Sequence, residues 1–170
     1  AKSFLDFEDQ KIERNFIESL LDAAGSKGTI FAHNASTEIS VLQKLLKKDS
    51  LKNLSDKIIK LIDRVVDTKK IVTENFYSPL MNGSSSIKEV VKAIPGDIAY
   101  NKDESMAGGA EAMLAWFLYT NTKTSKEEKN ELKKNLIEYC SKDTLAMYLL
   151  IKYLLDQKNI NKKGTQKMTK

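Results

Sequence analysis

The stretch TIFAHNASTE at positions 29–38 decides the expected fold. Its first four residues form a run of β-prone and apolar side chains without a polar break, which is typical of a short buried strand in a parallel sheet. A polar turn follows, and apolar residues then recur at helical spacing from about Ser36 to Lys48. The stretch therefore predicts a strand that leads directly into a helix.

The flanking segments extend this pattern to strand, helix and strand. Upstream, apolar residues at helical spacing predict a helix from Asp9, its expected N-cap, to about Ala24. Downstream, we expect a second short helix over roughly 50–60, and the sequence RVVD at 64–67 predicts another short buried strand. Strands and helices that alternate in this order indicate a parallel α/β sheet.

The second half of the sequence is predicted to be helical after a loop over 73–85. A short helix is expected over about 86–93, an apolar helix after the glycine pair 108–109, and a long helix that ends near Leu155. Two capping boxes, each a serine followed three residues later by a glutamate, mark helix starts: Ser86 with Glu89, and Ser125 with Glu128. Only two strands are expected, so the sheet is small.

The charge of the chain is concentrated in a tail. Five of the 28 basic residues lie in 158–170, a segment without acids that we expect to be disordered. The remaining 1–157, the expected single domain, holds 23 basic and 23 acidic residues, so the net charge of +5 does not identify a nucleic-acid surface. One cysteine and one histidine exclude a disulfide framework and a multi-cysteine zinc site. Without a membrane-length apolar run or a secretory signal, we predict a cytoplasmic protein.

Two acidic residues lie where parallel strands end, which is where ligands bind in open α/β sheets. Glu38 belongs to the first turn of the helix that follows 29–32, and Asp67 ends the second predicted strand. Each also has a purely structural interpretation. With Ser36 as the N-cap, Glu38 simply complements the helix dipole, and Asp67 caps the turn that follows it.

A third acidic residue, Asp143, lies on the long helix. Tyr139 and Asp143 are four residues apart and share a helix face that continues into apolar residues. An acidic side chain on such a face requires a charged or hydrogen-bonding partner or a metal ion. The alternative is that Asp143 lies at the margin of the apolar face and pairs with a lysine. A free cysteine such as Cys140 is more often a small buried residue than a nucleophile; the alternative is a catalytic dyad with His33. Asp6 and Glu8 have the spacing of a two-metal motif, but the nearby helix leaves little room for their strand.

Three short patterns together resemble the DnaQ-like (DEDD) 3′–5′ exonucleases. His33-Asn34-x-x-Thr37-Glu38 resembles their second motif, H-N-x-x-F-D, and Tyr139-x-x-x-Asp143 resembles their third, Y-x-x-x-D. Val66-Asp67-Thr68 resembles the "DT" strand end of the family. The sequence is most similar to a bacterial family of domains of unknown function that often lies C-terminal to a RecB-like nuclease domain.

This resemblance implies an RNase H-like fold with a small, partial parallel sheet and a largely helical C-terminal half. It implies hydrolysis of DNA or RNA with Mg²⁺ or Mn²⁺, and an upstream nuclease domain in the full-length chain. The implied metal ligands are Glu38 and Asp143, the implied water-positioning group is Tyr139, and the implied substrate-binding residues are His33, Asn34 and Asp67.

The sequence departs from the exonuclease pattern in three respects. Thr37 replaces an aromatic residue, and Glu38 replaces an aspartate. Asp6-x-Glu8 matches the letters of the first motif, D-x-E, without the β-hairpin that follows it in the family. We therefore expect the first three strands, with two of the four metal-binding carboxylates, to lie upstream of Ala1. The alternative function is a non-catalytic nucleic-acid-binding or protein-interaction module on a degenerate exonuclease fold; an enzyme that uses Cys140 is a third hypothesis.

Without upstream strands, the strand at 29–32 would have an open apolar edge, which invites pairing with another chain. We therefore expect either a homodimer through this edge or residues 2–7 folded back as an added strand.

Overall fold

The structure, a computed structural model, describes residues 2–5, 11–96, 98, 109–121 and 123–167, with side chains up to Gln157. Its helices and strands, in chain order, are α1 (Ile12–Ala24), β1 (Ile30–Ala32), α2 (Ser36–Leu46), a 3₁₀ helix (Asp49–Leu54), α3 (Ser55–Ile62), β2 (Val65–Asp67), α4 (Thr68–Asn75), a 3₁₀ helix (Pro79–Met81), α5 (Ile87–Val90), a 3₁₀ helix (Val91–Ala93), α6 (Gly109–Thr120) and α7 (Lys126–Lys167). None of the described helices is long and apolar enough to cross a membrane.

The two strands form a parallel sheet, as predicted. β1 pairs with β2 in the register Ile30 to Val65, Phe31 to Val66 and Ala32 to Asp67. Both strands end at the same edge, because α2 and α3 return the chain to the start of the sheet. No other described strand pairs with β1, so its second edge is open in this part of the chain.

One hydrophobic core lies between α1, α2, the first 3₁₀ helix and α3. Its buried side chains are Ile17, Leu42, Leu45, Leu51, Leu54, Ile58 and Leu61. Leu42, Leu45 and Ile17 lie on the apolar helix faces expected from the sequence, and burial of those faces stabilises helices of this length.

A second core attaches the long helix α7 to the chain that follows the sheet. Its buried side chains are Val72, Met81, Val90, Val91, Ile94, Ala146 and Leu150. Ala146 and Leu150 are four residues apart on α7, so they lie on one helix face and pack together. This packing brings the preceding turn of α7, with Asp143, toward β1.

Arg64 fastens the loop between α1 and β1. Its guanidinium donates hydrogen bonds to the backbone carbonyls of Ala24, Gly25, Lys27 and Gly28 at 2.6–2.9 Å. Those carbonyls include orphan acceptors at the end of α1, which a helix terminus otherwise leaves to solvent.

Several predicted boundaries were wrong. The predicted loop over 73–85 includes the end of α4, which continues to Asn75, and a 3₁₀ helix. The expected helix over 50–60 is divided into a 3₁₀ helix and α3. α7 continues past the expected end near Leu155 to Lys167, so its backbone is helical within the tail for which we predicted disorder. The predicted N-cap of α1, Asp9, lies outside the described residues.

Only one of the two predicted capping boxes forms. At the start of α7, the Ser125 backbone N–H donates to the Glu128 carboxylate at 2.8 Å, and the Glu128 N–H donates to the Ser125 hydroxyl at 3.2 Å. At α5, Ser86 makes no side-chain cap. The Glu89 carboxylate instead accepts from Asn82 at 3.1 Å and from Lys92 at 2.6 Å, and these partners compete with the cap.

The N-terminal residues 2–5 do not add a strand to the sheet, contrary to one of our two expectations; residues 6 and 7 lie outside the described part. Lys2 forms an ion pair with Asp22 at 2.7 Å. The rings of Phe4 and Phe16 make an edge-to-face contact at 5.8 Å. These contacts hold the segment against α1.

Candidate active site

A cavity of about 480 Å³ extends along β1 and reaches the carboxyl end of the sheet. Its wall is mostly apolar, with side chains from α1, β1, α2 and α7, among them Phe16, Phe31 and Met147. Three of the predicted site residues also line it: His33, Glu38 and Asp143. The fold thus brings together residues that are more than one hundred positions apart in the sequence.

The turn after β1 is fixed by Asp67. One of its carboxylate oxygens accepts from the Asn34 N–H at 3.0 Å and from the Lys69 N–H at 2.9 Å, and the other accepts from the Ala35 N–H at 3.1 Å. Asn34 has a left-handed backbone, with φ of 68°, which asparagine tolerates better than most residues. Asp67 therefore joins the two strand ends and is the N-cap of α4, as the structural interpretation predicted.

These hydrogen bonds decide the charge of Asp67. Burial favours its neutral form, but the backbone N–H groups of Asn34, Lys69, Ala35 and Lys70 outweigh burial and hold the pKa of this carboxyl below its usual value. Asp67 is therefore ionised, and its oxygens accept hydrogen bonds from backbone N–H groups. These bonds position the turn that carries Asn34.

His33 is held between two elements by both ring nitrogens. The Ser85 carbonyl, 2.8 Å from Nε2, can only accept, so Nε2 carries a proton. Nδ1 lies 2.9 Å from the hydroxyl of Thr68, which is fully buried and also 3.1 Å from the Ala32 carbonyl. In the neutral ring, Nδ1 and the Ala32 carbonyl can only accept, so they share the single proton of the Thr68 hydroxyl. His33 thus ties the end of β1 to the start of α4 and to the chain before α5.

His33 predicts a pH dependence of stability. Burial lowers the pKa of its imidazole below 6.5, although the Ser85 carbonyl and the charges of Asp67 and Asp143 partly oppose this shift. Below pH 6.5 the unfolded chain therefore binds a proton more readily than the folded chain. Stability is complete above this pH and is lost as the pH falls toward the folded-state pKa.

Because the chain has a single histidine, urea unfolding between pH 7.5 and pH 5.5 isolates this effect. We expect the free energy of unfolding to fall with decreasing pH, with a slope no steeper than about 1.4 kcal/mol per pH unit. The His33→Gln variant, as the control, should show a flat profile. An unfolding free energy that rises as the solution is acidified would contradict this assignment.

Tyr139 and Asp143 form a hydrogen-bonded pair on α7. Burial, the negative charge of Asp143 and the hydrogen bond to Asp143 raise the pKa of the Tyr139 phenol to about 12. The phenol is therefore protonated at neutral pH and serves as a hydrogen-bond donor to the carboxylate. The ammonium of Lys88 lies 5.2 Å from the centre of the Tyr139 ring, which places a positive charge beside this pair.

Glu38 lies in the first turn of α2, where the helix dipole favours a negative charge. The N-cap of α2 is Ala35 and makes no side-chain cap, so the prediction of Ser36 as the N-cap was wrong; Ser36 is the first helical residue. The side chain of Glu38 is exposed and lines the same cavity as Asp143. Thr37, which replaces the aromatic residue of the exonuclease pattern, lines the same cavity.

The donor set fits a hard cation in part. Glu38 and Asp143 supply carboxylate oxygens, the ligands that Mg²⁺ and Mn²⁺ prefer. Both nitrogens of His33 are engaged within the protein. No group of three or more histidine, cysteine or acidic side chains that could hold a metal ion occurs among the described residues. Asp6 and Glu8, which match the letters of the first exonuclease motif, lie outside them.

Cys140 belongs to a different cavity from His33. It lines a groove of about 600 Å³ formed by residues 2–5 and α7. Burial and the charge of Asp143 raise the pKa of its thiol, the opposite of what activates a cysteine nucleophile. The structure therefore gives no support to a dyad of Cys140 with His33.

Sequence reasoning missed the roles of Thr68, Ser85 and Lys88. Thr68 lies in a motif that entered only as a resemblance, and nothing local to His33 shows that the carbonyl of Ser85, 52 residues away, would hold its ring. The available signal for Thr68 was its position directly after Asp67, at the end of a predicted strand. Its hydroxyl is buried in the structure and therefore needs hydrogen-bond partners.

Comparison with known proteins gives one match. No curated protein and no solved structure matches the chain. The family described as "Domain of unknown function (DUF2779)" matches residues 1–86, slightly more than half of the 170 residues. This match covers α1 to the 3₁₀ helix Pro79–Met81 and ends just before α5, and it includes His33, Glu38 and Asp67. The chain belongs to this family of domains of unknown function.

Proposed function

We propose that this domain is part of a metal-dependent 3′–5′ exonuclease with an RNase H-like, DnaQ-like fold, which hydrolyses phosphodiesters in DNA or RNA. The observation that carries the proposal is the convergence of Glu38 and Asp143 on one cavity that extends along β1 to the carboxyl end of a parallel sheet. Ligands bind at this edge in open α/β proteins.

Three of the residues present are assigned the roles that the exonuclease resemblance implies for them. Glu38 and Asp143 would hold Mg²⁺ or Mn²⁺, which when bound stabilises the attacking and leaving oxygens of an in-line displacement. Tyr139, protonated and bonded to Asp143, would fix the orientation of that carboxylate and offer its hydroxyl to water. Asp67 and His33 keep the turn that carries Asn34 in place next to the substrate.

Further carboxylates must complete a two-metal site, because the described residues supply two. Asp6 and Glu8, or an upstream segment of the full-length protein, are the proposed sources. The open edge of β1 lies beside the cavity and fits an added strand from such a segment or from a second copy.

Hydrolysis of a labelled single strand tests the proposal. The substrate is DNA or RNA labelled at its 5′ end. With Mn²⁺ or Mg²⁺, we expect the full-length protein to shorten this strand from its 3′ end. Hydrolysis should stop when EDTA removes the metal. Blocking the 3′ end should prevent shortening. A folded full-length protein that leaves both nucleic acids intact with either metal would contradict catalysis.

The second candidate function is a non-catalytic nucleic-acid-binding or protein-interaction module on the same fold. It is favoured by the two-carboxylate donor set of the described residues. In this case the full-length protein would bind its nucleic-acid or protein partner equally well with EDTA and with Mn²⁺. No shortened nucleic acid would form.

A further inference from the structure

The start of α5 belongs to the wall of the cavity that His33 and Asp143 also line. The Ser85 carbonyl, two residues before this helix, accepts a hydrogen bond from His33 at 2.8 Å. Ile87, the first residue of α5, lines the cavity itself. The residue that follows is Lys88, so α5 carries a basic side chain directly beside the cavity.

Lys88 extends from α5 to the Tyr139–Asp143 pair on α7. Its ammonium lies 5.2 Å from the centre of the Tyr139 ring, within the range of about 6 Å at which a cation and an aromatic ring attract each other. The Tyr139 hydroxyl is hydrogen-bonded to Asp143, which lines the cavity. The positive charge of Lys88 therefore lies one side chain away from a carboxylate that we propose as a metal ligand.

The segment that carries Lys88 is held firmly against α7. Val90, in the same short helix, is fully buried and belongs to the second core with Ala146 and Leu150 of α7. Lys88 itself is half-buried, so packing restricts where its ammonium lies. A charge held in place before a ligand arrives loses less conformational entropy on binding than a freely rotating surface lysine does.

A phosphate at this site requires a positive charge that the carboxylates do not supply. As carboxylates, Glu38 and Asp143 carry two negative charges, which one divalent cation balances, and a phosphodiester adds a third. Because residues 1–157 hold 23 basic and 23 acidic side chains, the domain has no general excess of positive charge to attract a polyanion. A lysine beside the site can supply the charge locally, since lysine binds phosphate as a point charge.

We propose that the Lys88 ammonium binds a backbone phosphate of a single-stranded nucleic acid that occupies the cavity at Glu38 and Asp143. The choice of ligand rests on the proposed function. Contacts to phosphate position the strand and do not read its sequence, so Lys88 acts on all sequences alike. Lys88 is then a substrate-binding residue, distinct from the metal ligands.

The salt dependence of binding isolates such a contact. The probe is a fluorescent single strand of mixed sequence, as DNA and as RNA, blocked at its 3′ end so that the full-length protein does not shorten it at a constant Mn²⁺ concentration. Each phosphate contact contributes about 0.7 to the slope of log affinity against log salt concentration for a single strand. Lys88→Gln should reduce this slope by about 0.7 and weaken binding about fivefold at 0.1 M salt.

Two further variants separate charge from structure. Lys88→Arg keeps the positive charge and should restore both the slope and the affinity. Lys52→Gln is the matched control, because Lys52 is exposed, is paired with Asp49 at 2.7 Å and does not line the cavity; its slope should equal that of the unaltered protein. If Lys88 only supported the fold, Lys88→Gln would bind more weakly with an unchanged slope, which would overturn the proposal.

An equal loss of slope in Lys52→Gln also overturns the proposal, and so does an unaltered protein that binds neither strand. Hydrolysis of an unblocked strand is measured separately. A protein that shortens this strand while Lys88→Gln keeps the full slope contradicts the phosphate contact alone. A protein whose slope depends on Lys88 but which leaves the strand intact contradicts catalysis alone.

Discussion

The Glu38→Gln, Asp143→Asn double variant is expected to hydrolyse nucleic acid on the order of 100-fold more slowly than the unaltered full-length protein, or slower still. Each amide has nearly the size of the carboxylate it replaces but lacks the negative charge that holds a divalent cation. The two residues line the same cavity, so their loss should act on one site. The measurement is the initial rate of 3′-end shortening at saturating Mn²⁺.

The matched control for this prediction removes two negative charges elsewhere. Glu74 and Asp156 are exposed and do not line the cavity, so Glu74→Gln, Asp156→Asn should retain the full rate. Tyr139→Phe removes only the hydroxyl that bonds Asp143, and we expect its rate to lie between those of the control and the double variant. An unchanged rate in the Glu38→Gln, Asp143→Asn protein would contradict the proposed function.

Replacing Asp67 by alanine is expected to lower the free energy of unfolding by about 2–4 kcal/mol. The change removes the N-cap of α4, worth about 0.5–2 kcal/mol, and leaves the N–H groups of Asn34 and Ala35 without their charged acceptor. Urea unfolding at pH 7 measures the loss. Asp67→Asn keeps one acceptor oxygen and should lose less.

Asp63 provides the control for Asp67. It is an exposed acid at the end of α3, and Asp63→Ala should change stability by no more than about 0.5 kcal/mol.

The sign of the pH effect gives a second check. Because the folded-state pKa of Asp67 lies below 3.8, its contribution is complete above that pH and is lost on further acidification. Equal stability of Asp67→Ala and Asp63→Ala would show that the hydrogen bonds of Asp67 contribute little.

The sheet and the larger helices were predictable because their signals are local. The apolar runs at 29–32 and 64–67 form β1 and β2, and helical periodicity located α1, α2 and α7. Helix α4 was missed because its sequence is rich in β-branched residues, which disfavour helices in isolation. It forms with Asp67 as its N-cap and with Val72 fully buried in the second core.

The candidate site was predictable only in part. Spacing on α7 placed Tyr139 and Asp143 on one face, and the strand ends located Glu38 and Asp67. Contacts between distant segments, such as His33 with Ser85, depend on tertiary packing and have no local signal. The failure of the Ser86–Glu89 box has the same cause, since Asn82 and Lys92 hold the glutamate.

Metal-dependent thermal stabilisation tests most directly whether Glu38 and Asp143 form a metal site. At a Mn²⁺ concentration ten times the Kd, binding adds about 1.4 kcal/mol, which raises the Tm of a protein of this size by about 3–5 °C. We predict this rise for the unaltered protein and no rise for the Glu38→Gln, Asp143→Asn variant. The same Mn²⁺-induced rise in both proteins, or none in the unaltered protein, would contradict the assignment.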